Sequence, residues 1–211
     1  MFELKDVTFK HILHISHVRF DRPITCITGP SGSGKTTLLR LLNRLNEAEQ
    51  GEILLDGEDI KTMSPIELRR RVIMLGQTPV IYPGDIEENL QIGLRLSNRK
   101  PASKEKLRQY LQKVNLDKDL SEGCGKLSGG EKQRLCLARV MLMDGDVYLV
   151  DEPSSALDRE TEEFVIQNLV DFVSANQKQL IMVTHSPDVA KRYPQSIVRI
   201  ENKDTRGYLY E

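Results

Sequence analysis

Eight residues constrain this chain more than any others. Gly29-Pro30-Ser31-Gly32-Ser33-Gly34-Lys35-Thr36 fits the pattern G-x-x-x-x-G-K-[ST]. An apolar stretch over 24–28 leads into it, and Leu38, Leu39, Leu41, Leu42 and Leu45 recur behind it at helical spacing. The segment therefore sits between a strand and a helix, where glycines let successive backbone N–H groups wrap an anion and the helix start adds partial positive charge. The bland alternative is a Gly/Ser-rich loop that only turns a strand into a helix, but the strand and helix on either side favour the phosphate loop. Residues Gly29, Pro30, Ser31, Gly32, Ser33, Gly34, Lys35, Thr36 and Thr37 are candidate phosphate ligands. Lys35 would place a cation between β- and γ-phosphates, and Thr36 would offer its hydroxyl to Mg2+.

The rest of the chain alternates strand-like and helix-like stretches, which predicts an α/β fold with a partly parallel sheet. Strands are expected at 3–9, 15–20, 24–28, 51–55 and 72–75, and a short helix opens at Ser64-Pro65 and runs through Arg71. From 78 to 145 the strand signal fades and the block reads as a helical insertion. Its basic middle, residues 95–104, is either a solvated loop or a contact for a partner or anionic lipid. Strands resume at 147–150 and 180–184 around a helix over 159–177. Ser186-Pro187 opens another helix, and the tail from 196 to 210 holds two short strands at most.

Composition narrows the setting. The longest apolar run in the 211 residues is about four, against about 20 for a bilayer crossing. Thirty basic against 31 acidic side chains give a net charge of −1, which removes the broad basic signature of a nucleic-acid-binding domain. Three cysteines, Cys26, Cys124 and Cys136, match no metal-ligand spacing and make a poor disulfide framework. No secretory signal opens the chain, so a single-domain cytosolic protein is expected.

Two further segments carry chemistry. Asp146-Val-Tyr-Leu-Val-Asp151-Glu152 is a buried strand ending in two carboxylates, at the edge where α/β sheets bind ligands. Asp151 is a candidate Mg2+ ligand, and Glu152 a candidate base that orients and polarises an attacking water. Leu127-Ser128-Gly129-Gly130-Glu131-Lys132-Gln133-Arg134 contains the capping box Ser128-x-x-Glu131. Its two glycines leave the helix start open to an anion, a second phosphate site in one short chain.

The phosphate loop, LSGGEKQR, the VYLVDE strand, Ser155-Ala156-Leu157-Asp158 and Thr184-His185 occur in an order and at spacings that resemble an ATP-binding cassette (ABC) ATPase. The resemblance covers nearly the whole chain. It implies a P-loop NTPase fold of the ABC type: a parallel-sheet ATPase core (1–77 and 146–211) with N-terminal antiparallel strands and a helical subdomain (78–145). It also implies a head-to-tail homodimer with ATP and Mg2+ sandwiched between the phosphate loop of one copy and Ser128, Gly129 and Gly130 of the other. By the same resemblance Glu152 is the catalytic base, and Gln77 contacts Mg2+ and water and senses the membrane partner. His185 contacts the γ-phosphate, and Asp158 touches the opposite subunit, although it also suits an N-cap for the helix that follows. Adenine would stack on Phe9 or, failing that, His11. The implied partner is a separately encoded transmembrane permease on whose cytoplasmic face the chain sits, and no nucleic acid is expected. The stretch over 77–90 is similar to exporter cassettes, and the compact form most resembles the short ATPase paired with a small permease in iron export. The alternative is a soluble ABC ATPase of DNA repair or translation. Such proteins usually carry coiled-coil or zinc-bearing insertions or a second core.

Overall fold

The computed structural model describes residues 1–153, 157–192 and 197–200. Ser155, Ala156 and the tail from 201 lie outside the described residues, so the expectations placed on them are not taken further.

Two sequence patterns build two sheets. Strands β1 (Phe2–Phe9) and β2 (Leu13–Phe20) pair antiparallel with Phe2 opposite Phe20, and β4 (Gln50–Leu55) and β5 (Glu58–Asp59) extend the sheet in the order β2-β1-β4-β5. Leu13, Ile15, Val18 and Phe20 of β2 are buried while His14, His17 and Arg19 face outward, as expected of a sheet with one wet face. The β1–β4 register shifts between Lys5 and Thr8. There Gly51 holds φ +84°, and a Cβ on it would come within 2.3 Å of the Asp6 carbonyl oxygen, so only glycine fits.

The second sheet is fully parallel, in the order β6-β7-β8-β3-β9: β6 (Val72–Leu75), β7 (Val147–Asp151), β8 (Gln179–Val183), β3 (Ile24–Thr28) and β9 (Ile197–Arg199). Both faces are covered, so its strands read as continuous apolar runs. Their alternation still sorts the side chains. Val147, Leu149, Ile181 and Val183 join the core shared with the antiparallel sheet and helix α1 (Lys35–Leu42). Tyr148, Val150, Leu180 and Met182 join the core on the other face, with helices α3 (Ile86–Leu96), α4 (Lys104–Lys113), α5 (Gly129–Leu142) and α6 (Arg159–Ala175). Helices α2 (Pro65–Arg71) and α7 (Pro187–Arg192) and a single 3-10 turn at Cys124–Lys126 complete the described elements.

Leu45 departs from the expected apolar face and is 54% exposed. Helix α1 stops at Leu42, and Arg44 turns the chain at φ 54°, so the helical period no longer applies to Leu45. Residues 78–145 do hold α3, α4 and α5. Every residue of α5 from Leu135 to Leu142 is buried, so this helix is enclosed on all sides rather than amphipathic. All three cysteines are free and buried. Among the described residues no helix is long and apolar enough to cross a membrane.

A candidate ATP-hydrolysing site at the ends of the parallel strands

In a parallel sheet all strand C-termini share one edge, so residues 29–34 after β3, Gln77 after β6, Glu152 after β7 and His185 after β8 converge there. The phosphate loop leaves β3 through Gly29 (φ +145°), where a Cβ would meet the Ile200 carbonyl oxygen at 2.2 Å. It enters α1 through Gly34 in the left-handed region (φ 101°), packed against Ile12 and Leu13. Lys35 folds back so that its Nζ donates to the carbonyls of Gly29 (3.0 Å) and Pro30 (2.9 Å). An ammonium has three donors, so one remains for a ligand. Burial lowers the Lys35 pKa, and the nearby carboxylates of Glu152 and Asp151 oppose that shift. The Ser33 hydroxyl is buried without a hydrogen-bond partner, and Thr36 and Thr37 stand half-buried in the first turn of α1.

The two carboxylates that end β7 have different environments. Asp151 is 1% exposed, and burial pushes its carboxyl above the ordinary carboxylate range, with hydrogen bonding from Thr36 opposing. One of its oxygens, Oδ1, is buried without a partner. A buried anion beside a hydroxyl, with an orphaned oxygen, suits a divalent cation. Glu152 is fully engaged: Oε2 accepts from Gln77 Nε2 at 2.9 Å and Oε1 lies 2.8 Å from His185 Nε2. A carboxylate only accepts, so His185 carries a proton on Nε2. The structure thus brings together Lys35, Thr36, Asp151, Glu152, Gln77 and His185.

Other expected residues lie apart from this cluster. Ser128 caps α5 through a complete capping box with Glu131, and Gly129 and Gly130 form the first turn. Among the described residues no hydrogen bond links Ser128, Gly129 or Gly130 to the loop 29–34. Asp158 is the N-cap of α6, its carboxylate accepting from the backbone N–H and the hydroxyl of Thr161 (3.0 and 2.8 Å). Phe9 ends β1, half-buried against the antiparallel-sheet core with Lys10 Nζ 5.2 Å from its ring centre, while His11 is exposed.

Three polar residues went unread in the sequence. Gln133 is 3% exposed, and its Nε2 donates to the Glu152 backbone carbonyl at 2.9 Å. Arg139, inside the buried run of α5, donates to the Asn89 carbonyl (2.7 Å), the Asn89 side chain (2.9 Å) and the Val80 carbonyl (2.9 Å). For Arg139 the signal was a long polar side chain amid apolar neighbours, whereas Gln133 stands between Lys132 and Arg134 in LSGGEKQR and nothing local marked its role. Asn89 lay among acidic helix-start residues and gave none.

The buried charge on Asp151 has a testable cost. Asp151→Asn is expected to raise the thermal midpoint of the nucleotide-free protein, by the equivalent of about 1 kcal/mol, because a neutral amide replaces a desolvated anion. With Asp151 as a Mg2+ ligand, the same change should also remove most of whatever further stabilisation Mg2+ with nucleotide confers on the native protein. Thermal melts with and without both additions measure the two effects.

A family model described as ABC transporter matches residues 20–155. The phosphate import ATP-binding protein PstB of Pyrobaculum aerophilum is 42% identical over 185 residues, which cover 82% of this chain and 73% of that protein. The ABC transporter I family member 17 of Arabidopsis thaliana is 40% identical over 164 residues, covering 77% of this chain and 62% of that protein. Among solved structures, the dimeric post-hydrolysis state of an ATP-binding cassette bound to ADP and Pi superposes with a TM-score of 0.85 at 25% identity, covering 100% of this chain and 98% of that one. The phosphate loop, the paired carboxylates and kinship of this extent lead to one family, and the chain belongs to it as an ATP-hydrolysing cassette of the ABC transporters.

Proposed function

We propose that this chain works as a head-to-tail homodimer that closes on two ATP molecules, hydrolyses them and reopens, driving a separately encoded permease from the cytoplasmic face. The carrying observation is the Glu152 carboxylate, bracketed by Gln77 Nε2 and His185 Nε2 beside the phosphate loop. In that position Glu152 accepts the proton of the attacking water. Lys35 and His185 stabilise the charge that develops on the γ-phosphate, and the backbone N–H groups of 29–34 hold the phosphate chain. Thr36, Asp151 and the amide oxygen of Gln77 fit Mg2+. When bound, the ion would neutralise charge on the β- and γ-phosphates. Phe9 is the better-placed adenine contact, since it lies one turn from the segment packed on Gly34.

The second phosphate site belongs to the opposite copy in this reading, with Ser128, Gly129 and Gly130 at the start of α5 facing the partner's γ-phosphate. Residues 78–145 form the part that meets the permease. A groove of about 220 Å3 between β6, α3 and α5 is lined by Val80, Tyr82, Leu96, Met74, Met143 and their neighbours. Val80 is 58% and Leu96 70% exposed, an apolar surface fit to take a helical tip from a membrane protein. PstB is named for phosphate import, whereas the 77–90 segment resembles exporters, and export of iron or another metal by the permease is the substrate reading proposed.

Gly129→Asp tests the arrangement. Beyond the local helix backbone, nothing lies within 4 Å of a Cβ placed at Gly129, and an acidic residue in the first turn suits the helix dipole, so the variant should melt no lower than the native protein. Its carboxylate would repel a γ-phosphate offered by the other copy. Turnover should fall about 100-fold and the ATP-dependent dimer should disappear, while the monomer still binds ATP. Undiminished turnover in Gly129→Asp would sink the head-to-tail reading.

A further inference from the structure

Glu152 is one of the non-glycine residues whose backbone turns through positive φ. Its φ is 50°, in the left-handed region that non-glycine residues avoid, and Pro153 follows it. Such a conformation persists only where the surroundings over-determine it. Here both of the residue's own backbone groups are held. Its N–H donates to the Val183 carbonyl at 3.1 Å, and its carbonyl accepts from Gln133 Nε2 at 2.9 Å. Val183 belongs to the sheet, a rigid neighbour. Gln133 belongs to α5, in the turn that follows Ser128, Gly129 and Gly130.

We propose that Gln133 is a positioning residue that makes the placement of Glu152 depend on the helix reading the opposite copy's nucleotide. The proposal rests on the roles given above to Glu152 and to the start of α5. The side chain of Glu152 is steered by Gln77 and His185, but the Cα from which it hangs is set by Val183 and Gln133. Gln133 stands within one turn of Gly130 on the same helix, whose far part is clamped by burial along 135–142, so whatever orders the helix start orders Gln133 with it. Docking of the partner's ATP on Ser128–Gly130 therefore fixes Gln133, and Gln133 fixes the peptide after Glu152 in this copy's own site. The two sites then fire together, each base being aligned by occupancy of the other site.

Initial ATPase rates across ATP concentration, for native protein, Gln133→Leu and Gln133→Ala, carry the test. Freed from Gln133, the Glu152 backbone relaxes and the carboxylate shifts by an ångström or so. The expected loss in kcat is about 30-fold, with half-saturating ATP within about twofold of native. The Hill coefficient should fall from about two toward about one. A structural role alone would lower the thermal midpoint and the active fraction without changing the Hill coefficient. Unchanged kcat and Hill coefficient in both variants would overturn the proposal, as would non-cooperative hydrolysis by the native chain or a loss of ATP binding that accounts for the lost rate. Glu152→Gln, assayed in parallel, separates the failures. If it keeps turnover, the reading of Glu152 is at fault; if it loses turnover while the Gln133 variants do not, only the coupling is.

Discussion

Glu152→Gln should hydrolyse ATP about 1,000-fold more slowly than the native chain while binding nucleotide at least as well. The substitution keeps the shape of the side chain and removes the basic oxygen. An amide at 152 can still meet both neighbours: its oxygen accepts from Gln77 Nε2, and its nitrogen donates to His185 Nε2 once that ring shifts its proton to the other nitrogen. Fold and site geometry therefore survive, and only proton acceptance is lost. With hydrolysis blocked, the closed state should accumulate, so sizing in excess ATP should show a dimer that reverts to monomer when nucleotide is removed. A variant that stays monomeric in excess ATP would count against the sandwich. A variant that turns over at the native rate would remove Glu152 from its role.

The phosphate loop, the strands that end in Asp151 and near His185, and the capped start of α5 were legible because each is a local pattern of about ten residues. Element bounds followed closely: the helix opening at Ser64-Pro65 closes at Arg71 and the next strand spans Val72–Leu75, as expected. Less was readable wherever the deciding contact spans the chain. The left-handed turn at Glu152 depends on Val183 and Gln133, 31 and about 19 positions away, and no local signal marks it. The burial of α5 on every side depends on where α3, α4 and the parallel sheet happen to stand. Leu45 kept the helical period on paper, but the helix ended three residues earlier. The family resemblance supplied roles for single residues, whereas the links between them, from Gln133 to Glu152 and from Arg139 to Asn89, had to come from three dimensions.

Arg139→Leu should be the most destabilising of the changes considered. Arg139 is 9% exposed, and its guanidinium closes a network that no single element could hold. Three of its donors reach Asn89 and Val80, and it lies 5.2 Å from the Tyr82 ring centre. Asn89 in turn accepts from the Tyr82 N–H and donates to the carbonyls of Tyr82 and Asp85. Arg139 thus ties the segment after Gln77 to both α3 and α5. A leucine fills part of the volume but removes charge-assisted hydrogen bonds from the Asn89 carbonyl, the Asn89 side chain and the Val80 carbonyl, at a cost of about 3 kcal/mol. For a chain of this size that lowers the thermal midpoint by about 10 °C. Arg139→Lys should recover only part of it, since an ammonium cannot span the same fork. The functional consequence differs from that of Glu152→Gln. Below its melting temperature the leucine variant keeps an intact base and phosphate loop, so the isolated chain should retain most of its basal ATPase. What loosens is Val80 and Tyr82 in the groove proposed for the permease. With the proposed permease reconstituted, its stimulation of ATPase should therefore fall much further than the basal rate. Equal losses of basal and stimulated rates would show that the network supports the fold alone and carries nothing across the groove.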